Sequence, residues 1–168
     1  MAKFRVGERL IHPVHGAGTV VAYEKREEEG DTKEYYVIEL DTPNGRLLTP
    51  VEQADQLGLR KVMEKGDRSP LSKVFAGRPR KLSPDHGKRR AEITKRLRRA
   101  SFAEVGRVIR DLAWLDSRGG LNTNDRRLFK RAKVLLTEEL AAAEGIEINE
   151  AVSRVGGALE RRVSRWQD

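Results

Sequence analysis

The sequence predicts an α+β fold in which a small antiparallel β-barrel is followed by an all-α helical bundle. Residues 4–50 contain short runs rich in β-branched and aromatic side chains, separated by glycine and proline turns. After residue 82, apolar side chains recur at helical spacing instead. The charge changes with the pattern, because residues 1–65 hold 10 basic and 12 acidic side chains and residues 66–168 hold 24 and 14. We therefore expect a mildly acidic domain over 1–65 and a basic helical domain over 66–168.

The N-terminal domain is predicted from four strands and the turns between them. The runs typical of strands are Arg9–Ile11, Thr19–Tyr23, Lys33–Leu40 and Arg46–Thr49. Gly16 and Gly18 suit a bend between the first two strands, and Pro43-Asn44-Gly45 is a strong turn signal before the last. Residues 51–64 are expected to form a short helix or a covering segment. The domain boundary is expected near Lys65-Gly66-Asp67.

The first two helices of the C-terminal domain are predicted from their capping residues. Ser83-Pro84-Asp85 indicates an N-cap, a proline at the first helical position and an acid in the first turn, for a helix reaching about Arg99. Ser101 and Glu104 have the spacing of a capping box, and Gly119-Gly120 is expected to end the second helix.

Two further helices follow in the same way. The third is predicted to begin at about Asn122–Asn124 and to stop at Gly145. The fourth begins near Asn149, and Gly156-Gly157 is expected to weaken it. The side chains expected inside the bundle are Val105, Val108, Ile109, Leu112, Trp114, Leu115, Leu128, Ala132, Leu135, Leu136, Leu140, Val152, Val155 and Leu159.

Basic side chains are concentrated on two of these helices. Residues 78–99 hold ten of them, opposed only by Asp85 and Glu92. On the third helix, Arg126, Lys130 and Lys133 fall at i, i+4 and i+7, so they share a face. Such a face can follow a phosphate backbone, where each neutralised phosphate releases counterions. A solvated surface is the alternative, but two basic helices in one small domain favour binding to nucleic acid.

Composition and motifs argue against several other classes of protein. The chain has no cysteine, which excludes disulfides, thiolate nucleophiles and cysteine-ligated zinc. His12 and His15 lie in a strand–turn region without a third ligand nearby, so a turn role is favoured over metal binding. No phosphate-binding loop, nucleophile elbow or long apolar run occurs. We expect a soluble cytoplasmic protein that is not an enzyme and needs no cofactor.

The order of several short motifs resembles the CarD/CdnL family of bacterial transcription factors over nearly the whole chain. Phe4–Glu8 followed by Ile11–Gly18 is similar to the opening of that family, and later stretches match in order. These later stretches are Tyr35–Ile38, Thr49–Val51, Gly58–Arg60, Glu104–Leu112, Gly120-Leu121, Arg126–Leu128 and Ala132–Leu140. The resemblance implies a Tudor-like barrel that binds the β subunit of RNA polymerase. It also implies a helical domain that contacts promoter DNA at the upstream edge of the bubble and stabilises the open complex.

Site residues are carried over from the family by position. On the polymerase side, Arg26 matches a contacting arginine, and Leu48 stands where a second one is expected. Arg46 lies two residues earlier on the same strand face and is a substitute for it. On the DNA side, Lys88, Arg126 and Arg131 match basic positions, while Ala91 does not, so a neighbouring arginine is expected to compensate. The full set of expected DNA contacts is His86, Lys88, Arg89, Arg90, Arg126, Arg127, Lys130 and Arg131.

His86 is the sharpest departure from the family pattern. The family usually has a tryptophan there, which acts as a wedge in the minor groove at the bubble edge. Histidine offers less apolar surface for that purpose. We expect this protein to hold the bubble open less strongly and to depend more on phosphate contacts.

Two other functions remain open on the residues alone. One is a nucleoid-associated or RNA-binding protein that uses the basic bundle without polymerase. The other is a protein adaptor whose basic half binds an acidic partner. Salt dependence of DNA binding separates these two, since an adaptor would show a slope near zero.

Overall fold

The computed structural model describes residues 3–43, 45–64, 71–98 and 100–167. The chain divides into two compact units between Val62 and Met63. Asn44 of the predicted turn, Arg99 at the predicted helix end and the predicted boundary at Lys65-Gly66-Asp67 lie outside the described residues. Among the residues that the structure describes, no helix is long and apolar enough to cross a bilayer.

The first unit is a five-stranded antiparallel sheet. Its strands are β1 (Arg9–His12), β2 (Gly16–Glu28), β3 (Asp31–Leu40), β4 (Arg46–Pro50) and β5 (Arg60–Lys61). The order across the sheet is β4-β3-β2-β1-β5, so consecutive strands pair and only β5 returns to the far edge. A 3₁₀ turn (Val51–Gln53) and the helix α1 (Ala54–Leu57) fill the return. The predicted N-terminal antiparallel sheet is confirmed.

One face of this sheet carries the core of the unit. Leu10, Val20, Tyr36 and Ile38 are each at most 1% exposed and pack together. Gly18 lies between them, where a Cβ would come within 2.7 Å of Ile38 Cγ2 and 2.8 Å of the Glu39 carbonyl oxygen. The sheet therefore requires glycine at this position because the neighbouring strand passes too close for any side chain.

The second unit is all helical. Its helices are α2 (Leu71–Val74), α3 (His86–Arg98), α4 (Phe102–Ser117), α5 (Thr123–Glu144) and α6 (Ile148–Ser164). The helix α4 is central, because Val108, Ile109 and Leu112 are fully buried and it packs against α2, α3, α5 and α6. The predicted α+β class is therefore confirmed in both halves.

Capping residues set the ends of α4 and α5 as predicted. The side chain of Ser101 accepts a hydrogen bond from the backbone N–H of Glu104, which starts α4. Asn122 and Asp125 form a complete capping box at the start of α5. Gly145 ends α5 with φ 65°, a left-handed conformation that suits glycine.

Two local predictions were wrong. The N-cap of α3 is Asp85 and not Ser83, because the Asp85 carboxylate accepts the backbone N–H of Lys88 at 2.8 Å. The helix α6 is continuous through Gly156-Gly157, with Val155 and Leu159 buried on either side, and the expected weakening by these glycines stays a prediction. Val152 is 52% exposed, since the buried stripe of α6 begins with Ala151 instead.

Candidate functional site

The N-terminal ends of α3 and α5 are joined by a buried ion pair. The guanidinium of Arg89 donates from Nε to Asp125 Oδ1 at 3.1 Å and from Nη2 to Asp125 Oδ2 at 2.6 Å. Its third nitrogen, Nη1, donates to the carbonyl oxygen of Ser83 at 2.9 Å. Asp125 Oδ2 also accepts the backbone N–H of Asn122 at 3.0 Å. The pair therefore fixes the first turns of two basic helices beside each other.

Arg89, one of the expected DNA contacts, is buried and does not lie on the surface with the others. It is 4% exposed, and each of its three nitrogens donates a hydrogen bond to Asp125 or Ser83. A guanidinium that is buried and bidentate in this way holds the helices in place and has no surface to offer a phosphate. Sequence reasoning missed this role because Arg89 stands within a basic run and its partner is 36 residues away.

The pKa of Asp125 reflects its position in the pair. Burial acts to raise the pKa of this carboxyl, but the hydrogen bonds from Arg89 and from the Asn122 backbone outweigh that effect and lower it. Charge on Arg89 and on His86 acts in the same direction. His86 is the first residue of α3 and is exposed.

The other expected DNA contacts are all exposed and lie on α3 and α5, the helices that carry Arg89 and Asp125. Lys88 and Arg90 flank Arg89 on α3. On α5 the exposed cations begin immediately after Asp125 and continue for two turns. They are Arg126, Arg127, Lys130, Arg131 and Lys133. We call Lys88, Arg90 and these five residues the cationic surface.

Arg126 and Lys133 of the cationic surface each lie near a neighbouring side chain. Arg126 Nη1 lies 3.8 Å from Asp116 Oδ1, with both side chains well exposed, so this pair contributes little to stability. The Lys133 ammonium lies 4.2 Å from the centroid of the Phe129 ring. The predicted i, i+4, i+7 set of Arg126, Lys130 and Lys133 is thus on the outside of α5.

A second buried network stabilises the middle of the helical unit. Asp111 is fully buried and accepts from Arg96 Nη1 at 2.9 Å, from Arg110 Nε at 3.0 Å and from the backbone N–H of Arg80 at 2.8 Å. Arg96 also donates to Glu104 at 2.8 Å. Arg96 is one of the ten cations of residues 78–99. Like Arg89, it is paired with carboxylates inside the helical unit and is largely buried.

The pairing register brings the three expected polymerase contacts to one face of the sheet. Arg26 lies opposite Lys33, Leu48 opposite Val37, and Arg46 opposite Glu39. Lys33, Val37 and Glu39 are separated by even numbers along β3, so they point to the same side, and their cross-strand partners point with them. This side is the reverse of the one that carries Tyr36 and Ile38.

Arg26 is part of a small polar cluster on that face. Its Nε donates to Glu24 at 2.7 Å, and its guanidinium lies 5.9 Å from the ring centroid of Tyr35. The Tyr35 hydroxyl donates to Glu28 at 2.5 Å. That bond, with one from Lys33, lowers the pKa of Glu28. Arg46 is exposed and Leu48 is partly buried. We call Arg26, Arg46 and Leu48 with Tyr35 the sheet face.

Two pairs of aromatic residues have structural roles. His12 Nδ1 accepts the backbone N–H groups of Val14 at 3.0 Å and of His15 at 3.2 Å, which confirms its predicted turn role. Trp114 was expected in the core but is only partly buried, with Trp166 against it at 5.4 Å between ring centroids.

Across the described residues, no cluster of three or more His, Cys, Asp or Glu could hold a metal ion.

The two units, one a small sheet with a polar face and one a basic helical unit, define a binding protein. A family model described as the CarD-like/TRCF RID domain matches residues 4–63, and one described as the CarD C-terminal domain matches residues 71–156. The chain therefore belongs to the CarD family of transcription factors, which are regulators and not enzymes.

A curated relative agrees with this assignment. The chain is 27% identical over 145 residues to a protein of Bacillus subtilis (strain 168) named "Putative transcription factor YdeB". The alignment covers 85% of this chain and 94% of the relative. The two proteins are therefore similar over nearly their full lengths.

Proposed function

We propose that this protein binds the β subunit of RNA polymerase through the sheet face and contacts promoter DNA at the upstream edge of the bubble through the cationic surface. Binding both at once would stabilise the open complex. We assign the first activity to residues 1–65 and the second to residues 66–168. The observation that carries the proposal is that each set of expected contacts, Arg89 aside, lies exposed or half-exposed within a single unit.

The sheet face is suited to a protein partner. It combines a partly buried leucine, an aromatic ring and two arginines, and Arg and Tyr are enriched at the centres of protein interfaces. Matching the first unit to the CarD-like/TRCF RID domain supports polymerase as that partner.

The cationic surface is suited to a phosphate backbone. Its members come from two helices whose first turns are held together by Arg89 and Asp125. Fixed cations on neighbouring helices neutralise phosphates without reading bases, so binding of this kind is largely independent of sequence.

Open-complex lifetime tests the proposal, using polymerase from the same organism with and without the full-length protein. Arg26→Gln should abolish most of the effect by weakening capture of the β subunit. Lys25→Gln is the matched control, because Lys25 is exposed on the same strand but points to the other side of the sheet. Equal effects of the two substitutions, or no change in lifetime with the unaltered protein, would overturn the proposal.

Binding to DNA alone addresses the alternative of a polymerase-independent nucleoid-associated or RNA-binding protein. That alternative predicts tight duplex or RNA binding and no capture of the β subunit. A salt slope near zero would instead favour a protein adaptor.

A further inference from the structure

The segment between α2 and α3 is a loop that side chains of three helices fix in place. Residues 75–83, the anchored loop, contain no helix or strand. Phe75 and Leu82, near its two ends, are 1% and 9% exposed and belong to the core of the helical unit. The backbone between them is thus held close to the bundle at both ends.

Hydrogen bonds from side chains hold the middle of the anchored loop. Arg110 Nη1 donates to the carbonyl oxygen of Ala76 at 2.8 Å, and Arg162 Nη2 donates to that of Gly77 at 2.6 Å. Asp111 Oδ1 accepts the backbone N–H of Arg80 at 2.8 Å. These bonds come from α4 and α6. The Arg89 contact with Ser83 adds α3 at the end of the loop.

The side chains that this loop presents outward are cationic. Arg78, Arg80 and Lys81 are exposed, and residues 75–83 include no acid. Within the described ranges, none of the three forms an ion pair with a carboxylate. Pro79, between the two arginines, further limits the backbone freedom of the loop. Three cations that pair with no carboxylate of the described residues therefore project from a backbone that is already ordered.

We propose that Arg78, Arg80 and Lys81 bind the phosphate backbone of duplex DNA, as an extension of the cationic surface beyond α3. This inference rests on the proposed function and adds a contact element that the expected site residues do not include. Fixing the backbone in advance lowers the entropy lost when its side chains bind a ligand, which is the benefit expected at a binding surface.

Affinity for a duplex, measured as a function of salt with the full-length protein, tests the proposal. Arg78→Gln/Arg80→Gln should weaken binding about tenfold and reduce the magnitude of the salt slope by about 1.8, which is about 0.9 for each phosphate that the variant no longer neutralises. Arg5→Gln/Lys25→Gln is the control, because it removes two exposed cations from the sheet unit with the same change in net charge. The control should leave the slope unchanged.

A third variant separates failure of this inference from failure of the proposed function. Lys88→Gln/Lys130→Gln removes two cations of the cationic surface. If this variant loses affinity while the loop variant binds like the unaltered protein, the anchored loop does not bind DNA and the inference is overturned alone. If the unaltered protein binds no duplex, both fail. Weaker binding of the loop variant to single-stranded RNA, with duplex affinity unchanged, would also overturn the inference.

Discussion

Arg89 and Asp125, which are 36 residues apart in the sequence, form a two-bond ion pair with 5% and 1% of their side chains exposed. The pair ties α3 to α5 at their first turns. Both helices carry the cations expected to meet DNA, so the geometry of the cationic surface depends on two residues that do not belong to it.

Removing the anion of this pair should destabilise the helical unit. Asp125→Asn leaves the guanidinium of Arg89 buried without a counter-charge, which costs about 3–5 kcal/mol in comparable cases. Urea unfolding followed by circular dichroism measures the change. Asp116→Asn is the control, since its contact with Arg126 is exposed and 3.8 Å long and should be worth less than about 1 kcal/mol. If Asp125→Asn lowered the free energy of unfolding no more than Asp116→Asn does, the pair would not be important for stability.

Acid should destabilise the helical unit through a buried and a partly buried carboxylate. The pKa of Asp125 lies below its ordinary 3.8 and that of Glu104 below 4.5, because hydrogen bonds from arginines outweigh burial in each case. A lowered pKa adds stability above the unfolded value that is lost as pH falls through the folded one. The free energy of unfolding should therefore fall below about pH 4, and less steeply in Asp125→Asn. If the free energy of unfolding fell equally steeply with pH in the unaltered protein and in Asp125→Asn, this assignment would be contradicted.

Gly106 allows α2 to approach α4 closely. A Cβ there would lie 1.8 Å from Val74 Cγ1, so Gly106→Ala should cost about 1–3 kcal/mol by overpacking. Combining it with Val74→Ala removes the clashing methyl and should recover part of the loss, which a double-mutant cycle detects.

Gly156→Ala is the opposite case, because nothing lies within 4 Å of its Cβ position inside α6. That change should raise stability by about 0.5–1 kcal/mol.

His86→Trp should lengthen the lifetime of the open complex on a matched promoter. His86 is exposed at the first position of α3, and tryptophan would supply more apolar surface to occupy an unstacked step. His86→Gln controls for loss of the imidazole. An unchanged lifetime with His86→Trp would count against a wedge role for this position.

Arg46 should take over the contact expected of the residue at position 48. The two side chains lie on the same side of β4, opposite Glu39 and Val37. Arg46→Gln should weaken binding to the polymerase β subunit about tenfold, as expected for loss of an interfacial arginine. In a Leu48→Arg background the same change should cost much less, because the restored arginine occupies the contact. Additive effects in a pull-down titration would show that Arg46 is not a substitute.

The sequence alone determined the elements whose signals are local. Alternation and turn residues located β1 to β4 but not the two-residue β5. The capping residues Ser101 and Asn122 and the terminating Gly145 located the ends of α4 and α5. These signals work because hydrogen bonds to the nearest backbone groups decide where a helix starts or stops. The charge difference between the halves was equally visible, since composition needs no fold.

Tertiary structure decided which members of a basic run face inward. Arg89 and Arg90 are adjacent and chemically identical, yet one is buried against Asp125 and the other is exposed. The same holds for Gly156-Gly157, which local propensity makes a weak point and packing of α6 makes part of a continuous helix. The physical reason is that burial energy and ion pairing depend on partners far away in sequence, and only the packed helices bring those partners within bonding distance.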